Sequence, residues 1–113
     1  MVSYLITDAS RGIGLAMAGH LLTFPASEVT CIFATASRES TALKTLIQAS
    51  VDRMHFIELD ITNEHSLNVA IAEVEYILDG AGLDVLINNS GKTLVTPKTM
   101  SKVFVQRSPM KVG

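Results

Sequence analysis

The chain has 113 residues, 48% of them hydrophobic and 18% charged, which suits one small globular unit and argues against disorder. Its net charge of −2 gives no electrostatic reason to expect a nucleic acid or a membrane surface as partner, and no apolar run approaches a membrane span. Tryptophan is absent and aromatics make up 5%, so the core must rest on aliphatic side chains, as in parallel sheets buried on both faces.

Val2–Thr7 is apolar, β-prone and followed by a glycine-containing turn, the pattern of a buried strand. From Gly12 to Phe24, Leu15, Ala18 and Leu22 recur at helical spacing, with Pro25 as the expected stop. Val29–Ala34 is the second strand, and Leu43, Leu46 and Ile47 mark one face of a helix over about residues 39–50. Met54–Leu59 is the third strand. Thr62 is positioned to cap the next helix, with Glu64 in its first turn. Leu67, Ile71, Val74 and Leu78 then step by four, three and four, until Gly80 and Gly82 interrupt the stripe ahead of a fourth strand at Asp84–Asn88.

This alternation predicts an α/β fold with a parallel sheet and right-handed crossovers. The first two helices are expected on one face and the third on the other, which would be only partly covered and leave apolar surface exposed. After Gly91 the rhythm is lost. Residues 92–113 carry five basic side chains and no acid, against four basic and eleven acidic ones in residues 1–91. They read as an irregular basic tail, either solvated, lying on the acidic body, or engaging a polyanion.

The single cysteine, Cys31, lies in an apolar run and reads as a small buried hydrophobe. It has no internal disulfide partner, and the first residues lack the pattern of a secretion signal, so the expected compartment is the cytoplasm. His20, His55 and His65 fall on separate elements without ligand spacing, so no metal site is expected. There is no Gly-x-Ser-x-Gly elbow and no phosphate loop ending in Gly-Lys-Ser/Thr.

The segment richest in chemistry is Thr7-Asp8-Ala9-Ser10-Arg11-Gly12-Ile13-Gly14, between the first strand and first helix. Glycines there allow a sharp turn and close approach of a pyrophosphate to the free N–H groups of a helix start, although ordinary strand-to-helix turns use glycine as well. The common Gly-x-Gly-x-x-Gly pattern is not met, because Met17 stands at the third glycine position.

The segment resembles instead the Thr-Gly-x-x-x-Gly-x-Gly fingerprint of the short-chain dehydrogenase/reductase family. Leu59-Asp60-Ile61-Thr62 looks like that family's acidic corner after strand three, and Asn88-Asn89-Ser90-Gly91 is similar to its Asn-Asn-Ala-Gly motif after strand four. The resemblance covers residues 1–91 and implies a partial Rossmann-type, doubly wound sheet of strand order 3-2-1-4, a half-domain binding a nicotinamide dinucleotide. By the same resemblance Ser10, Arg11, Gly12, Ile13 and Gly14 lie at the phosphates and ribose. Asp60 would accept from the adenine amino group with Ile61 against the ring, and Asn88, Ser90 and Gly91 would line the ribose and nicotinamide region. Asp60 and Asn88 can equally be turn residues.

After strand two the chain reads Ala36-Ser37-Arg38, where a carboxylate would favour NAD and a cation NADP. Ser37 and Arg38, with Arg11 nearby, favour NADP. Glu39 could instead pair with Arg38.

Two departures bear on activity. Asp8 replaces the fingerprint's first glycine; it would crowd the turn and set a carboxylate against phosphates, weakening the cofactor, unless it rotates to cap the helix or to bond a ribose hydroxyl. The family's proton donor is a tyrosine four residues before a lysine, with a serine from a later strand. Here Asp8 and Gly80 follow Tyr4 and Tyr76 at that spacing, and packing within an element would explain both tyrosines.

The reading is therefore the NADP-binding portion of an oxidoreductase of carbonyl reduction or alcohol oxidation type, truncated before its catalytic residues. The alternatives are a non-catalytic module that engages a protein partner and a fragment or altered product of a longer reading frame. The fourth strand would be an open edge inviting self-association, and stability would be marginal.

Overall fold

The computed structural model describes residues 2–89 and 111–112. Five strands and three helices follow in the order β1 (Val2–Ile6), α1 (Gly12–Leu21), β2 (Val29–Ala36), α2 (Thr41–Ala49), β3 (Met54–Glu58), α3 (Glu64–Leu78), β4 (Val85–Ile87) and β5 (Lys111–Val112). All strand pairs are parallel, and the sheet order is β3-β2-β1-β4-β5. The 3-2-1-4 order expected from the sequence is thus the observed one. Of the segment expected to be an irregular tail, residues 92–110 lie outside the described residues. Lys111–Val112 pairs with Val85–Leu86, so the outer edge of the described sheet is β5 and not β4.

The step from β3 across to β4 reverses the direction of winding, and right-handed crossovers then put α3 opposite α1 and α2. Two apolar clusters result. Ala18 and Leu43 from the first two helices close over Ile6, Ile32, Ala34 and Met54, with Leu15, Leu22, Leu46 and Ile47 at the margin. Leu67, Ala70, Ile71 and Val74 of α3 close over Leu5, Phe33, Ile57 and Leu86. Alternate residues of β1 and β2 feed the two clusters, as period-two alternation requires.

Apolar surface is left open on both faces. A cleft of about 420 Å³ lies beside α1, lined by Ile13, Ala16, Met17, His20, Leu21 and Ile87, on the face expected to be covered. The face of α3 carries another, which includes Cys31, Ile77 and Leu78. Cys31 is only half-buried, against the α3 cluster, and burial pushes its thiol up to about 11, which keeps it protonated and unreactive at neutral pH. Tyr4 packs at the margin of the α1–α2 cluster. Tyr76, by contrast, is 86% exposed, so packing does not account for it.

Several ends differ from the sequence expectation. α1 stops at Leu21, three residues before Phe24, and residues 22–24 turn back through Thr23 N–H to His20 O and Phe24 N–H to Leu21 O. Arg53 holds this turn from the far side of the second crossover. Its guanidinium donates to the carbonyls of Val29 (2.9 and 3.2 Å), Phe24 (2.8 Å) and Leu22 (3.5 Å). Arg53→Met keeps the aliphatic stem and removes these charge-assisted bonds; it is expected to cost about 1–2 kcal/mol in a urea melt. A cost below about 0.5 kcal/mol would show that water replaces the guanidinium freely. Asn63, not Thr62, caps α3 by accepting from Ser66 N–H; Thr62 lies one residue ahead of the cap, its hydroxyl donating to Asp60.

Among the described residues no helix is long and apolar enough to cross a membrane, and no three of His, Cys, Asp and Glu are grouped to hold a metal ion.

Candidate functional site

A parallel sheet delivers the ends of all its strands to one edge, and the loops leaving that edge form the crevice where open α/β folds take ligands. Here those loops are Thr7–Arg11 after β1, Ser37–Ser40 after β2, Leu59–Asn63 after β3 and Asn88–Asn89 after β4. They carry Ser10, Arg11, Ser37, Arg38, Asp60, Ile61 and Asn88 of the residues singled out from the sequence, while Gly12, Ile13 and Gly14 open α1 directly behind the first loop.

The first loop is shaped by backbone constraints. Ala9 N–H donates to Thr35 O at 2.9 Å and Thr7 N–H to Ile87 O at 3.1 Å, so the chain stays attached to both neighbouring strands as it leaves β1. It then turns through two left-handed residues, Asp8 at φ 53° and Gly12 at φ 59°. Arg11 is the N-cap of α1 and supplies no side-chain bond to it, so the first N–H groups of this helix have no side-chain partner among the described residues. Gly14 is buried and lies directly under the loop. A Cβ there would stand 2.3 Å from Asp8 O, 2.8 Å from Asn89 Nδ2 and 3.0 Å from Ala9 Cα. The glycine requirement at Gly12 is conformational and at Gly14 spatial.

The loop is locked to the end of β4. The fully buried Thr7 hydroxyl accepts from Asn89 N–H at 2.8 Å and donates to Asn88 Oδ1 at 3.0 Å, while Asn89 Nδ2 donates to Asp8 O at 3.4 Å. It is also tied to α2. Ser40 Oγ donates to Ser10 O at 2.5 Å and accepts from Leu43 N–H at 3.1 Å, which makes it both the cap of α2 and the strut beneath the loop. Sequence reasoning missed Ser40 and the locking role of Thr7. A serine directly before a helical stripe is a recognisable cap signal, whereas the Thr7 bonds span more than eighty residues and have no local signature.

Between the first and second loops lies a cleft of about 360 Å³ lined by Asp8, Ser10, Arg11, Ser37, Arg38, Glu39 and Ser40. The structure thus brings together Ser10, Arg11, Ser37 and Arg38. Arg11 and Arg38 are exposed, and neither guanidinium has a hydrogen-bond or ion-pair partner among the described residues, so the pairing of Arg38 with Glu39 is not made. Asp8 does not cap α1. Its carboxylate is exposed and likewise has no partner among the described residues.

The third loop sits beside the second through Leu59 N–H to Ala36 O at 2.8 Å. Asp60 is fully exposed and forms a tight turn, its Oδ1 accepting from Thr62 Oγ1 at 2.6 Å and Thr62 N–H at 3.0 Å. The Thr62 hydroxyl, and then its N–H, hold the Asp60 carboxyl below its ordinary value, so it stays ionised into mild acid. Ile61 is half-buried and packs against the α3 cluster. Ile13 is 71% exposed and lines the apolar cleft beside α1. Asn88 is half-buried at the loop junction; Ser90 and Gly91 lie outside the described residues.

Comparison with known proteins places this arrangement. Residues 3–108 match the model of a family described as short chain dehydrogenase. Among curated proteins, the short-chain dehydrogenase/reductase AacuF of Aspergillus aculeatus is 34% identical over 96% of this chain. The 3-oxoacyl-(acyl-carrier-protein) reductase FabG of Aquifex aeolicus is 32% identical over 79% of it. Among solved structures, an NADPH-bound carbonyl reductase from chicken fatty liver superposes on 93% of the chain with a TM-score of 0.76 and 28% identity. The chain spans 39% and 35% of the length of those two curated relatives and 47% of the length of that structure. The fingerprint loop, the strand order and a family match over nearly the whole chain agree: this protein belongs to the short-chain dehydrogenase/reductase family.

Proposed function

We propose that this chain seats a nicotinamide dinucleotide, NADP in preference to NAD, as the nucleotide-binding portion of an oxidoreductase that reduces carbonyls or oxidises alcohols. The observation that carries the reading is the cleft at the start of α1. Two guanidiniums without a partner among the described residues and the hydroxyls of Ser10 and Ser37 line it from two different loops. The residues fit the cofactor. The N–H groups at the start of α1, with Gly12, Ile13 and Gly14, suit the pyrophosphate. Arg11 and Arg38 suit the planar, bidentate recognition of a 2′-phosphate. Asp60 holds an ionised carboxylate at the next loop; with Oδ1 engaged by Thr62, Oδ2 is the oxygen to meet the adenine amino group. Ile61, assigned to the ring by the resemblance, packs against the α3 cluster and leaves only its open side for it. Asn88, and by family resemblance Ser90 and Gly91, complete the site toward the nicotinamide.

When bound, the cofactor would supply the hydride. The chain's own residues bind and orient it, and neither Tyr4 nor Tyr76 stands four residues before a lysine to donate the accompanying proton. Residues 1–91 are the proposed binding half-domain. A soluble, cytoplasmic setting goes with the reading.

Titration with NADPH, followed by nicotinamide fluorescence, is expected to saturate. Arg38→Leu is expected to weaken NADPH about tenfold or more and leave NADH within about twofold, since the lost partner meets only the 2′-phosphate. A folded chain that binds neither nucleotide would overturn the reading in favour of a protein-binding module.

A further inference from the structure

The charge of the cleft does not match its role as a phosphate site. Arg11 and Arg38 are offset by Asp8 and Glu39, so the charged lining sums to zero. Glu39 opens the second loop toward α2, next to Arg38 in sequence. Asp8 is different, because the family fingerprint has glycine at its position. Its backbone takes the left-handed conformation such a glycine would supply, at φ 53°. Aspartate is one of the few side chains that tolerate it. The position is therefore filled without loss of the loop, and the cost to the cleft is a negative charge.

That charge is not consumed locally. It does not cap α1, and no described residue bonds or pairs with it. It lines the same cleft as the two guanidiniums assigned above to the 2′-phosphate. A 2′-phosphate brings up to two negative charges into the cleft, whereas a 2′-hydroxyl brings none and can donate a hydrogen bond to a carboxylate. An acid among the cations thus acts unequally on the two cofactors.

Resting on the reading of this cleft as the seat of the adenosine end of a dinucleotide, we infer that Asp8 is a specificity-determining residue: its carboxylate holds down the preference for NADPH that Arg11 and Arg38 create, so that NADPH is favoured by less than the two guanidiniums alone would give. This differs from a general weakening. A carboxylate acting on the pyrophosphate, which both cofactors share, would lower both affinities by one factor.

The test is the ratio of NADPH to NADH dissociation constants, measured by nicotinamide fluorescence for the unaltered chain, Asp8→Asn and Asp8→Gly, each checked for folding by circular dichroism. Asparagine tolerates the left-handed backbone as aspartate does and removes only the charge, and glycine removes charge and strain together. Both variants are expected to tighten NADPH about tenfold while NADH changes by less than about twofold. Equal changes for both nucleotides, or an unchanged ratio, would overturn the role of Asp8 and leave nucleotide binding standing. No saturable binding of either nucleotide by any of the three chains would overturn the nucleotide reading itself, and this inference with it.

Discussion

Gly14→Ala is expected to cost about 3 kcal/mol of folding stability and to remove nucleotide binding in whatever fraction remains folded. The added methyl would stand 2.3 Å from the carbonyl oxygen of Asp8 and 3.0 Å from Ala9 Cα, both backbone atoms. No rotamer change relieves such a contact. Either α1 retreats from the loop or the loop lifts from the helix, and overpacking of this kind costs up to about 3 kcal/mol. Both movements pull the first N–H groups of α1 away from the cleft formed by Ser10 and Arg11. Gly12→Ala is the internal comparison. Nothing lies within 4 Å of a Cβ at Gly12, but its φ of 59° penalises any L side chain, so a loss of about 1 kcal/mol is expected there. Urea melts of the two variants rank them. If Gly14→Ala costs no more than Gly12→Ala, close approach of helix to loop does not set the geometry of the site.

The contrast between these glycines also shows what was legible in the sequence. Strand and helix identities follow from local pattern. The stripe Leu67, Ile71, Val74 and Leu78 is the buried face of α3, and Leu43, Leu46 and Ile47 form that of α2. Strand order and family came from three motifs whose chemistry is local. What failed was decided by contacts or geometry that a residue's type and period do not show. The turn that follows Leu21 is held by Arg53, about thirty residues further on, whose guanidinium donates to the carbonyls of Leu22 and Phe24. Asn63 is the better cap by type, and it holds the position directly ahead of Glu64, while Thr62, one residue earlier, closes the turn with Asp60. The two-residue strand at Lys111–Val112 has no period long enough to detect. Of the cofactor residues, Ser10, Arg11, Ser37 and Arg38 could be chosen by chemistry and lie together. That Ile61 faces the α3 cluster, and that no described residue takes up the charge of Asp8, required the fold.

The lock between the glycine loop and the end of β4 carries the second large effect. Thr7→Val preserves shape and apolar volume at a fully buried position, so its consequence isolates the hydroxyl. Two bonds go at once, the one accepted from Asn89 N–H and the one donated to Asn88 Oδ1. The Asn89 N–H then loses its acceptor in a partly buried junction, and desolvation without a partner costs about 1–3 kcal/mol. A total loss of about 2 kcal/mol is expected in a urea melt, with nucleotide affinity falling in parallel, because Asn88 and Asn89 are no longer held against the loop that carries Asp8 and Ser10. Thr7→Ser supplies the control. It keeps the hydroxyl and loses only a methyl group, so about 1 kcal/mol of stability is expected to go while nucleotide binding is retained. If serine is as damaging as valine, packing of the methyl and not the hydroxyl holds the two loops together. If valine leaves nucleotide affinity unchanged, the end of β4 is positioned by the sheet alone, and the assignment of Asn88 to the cofactor loses its structural support.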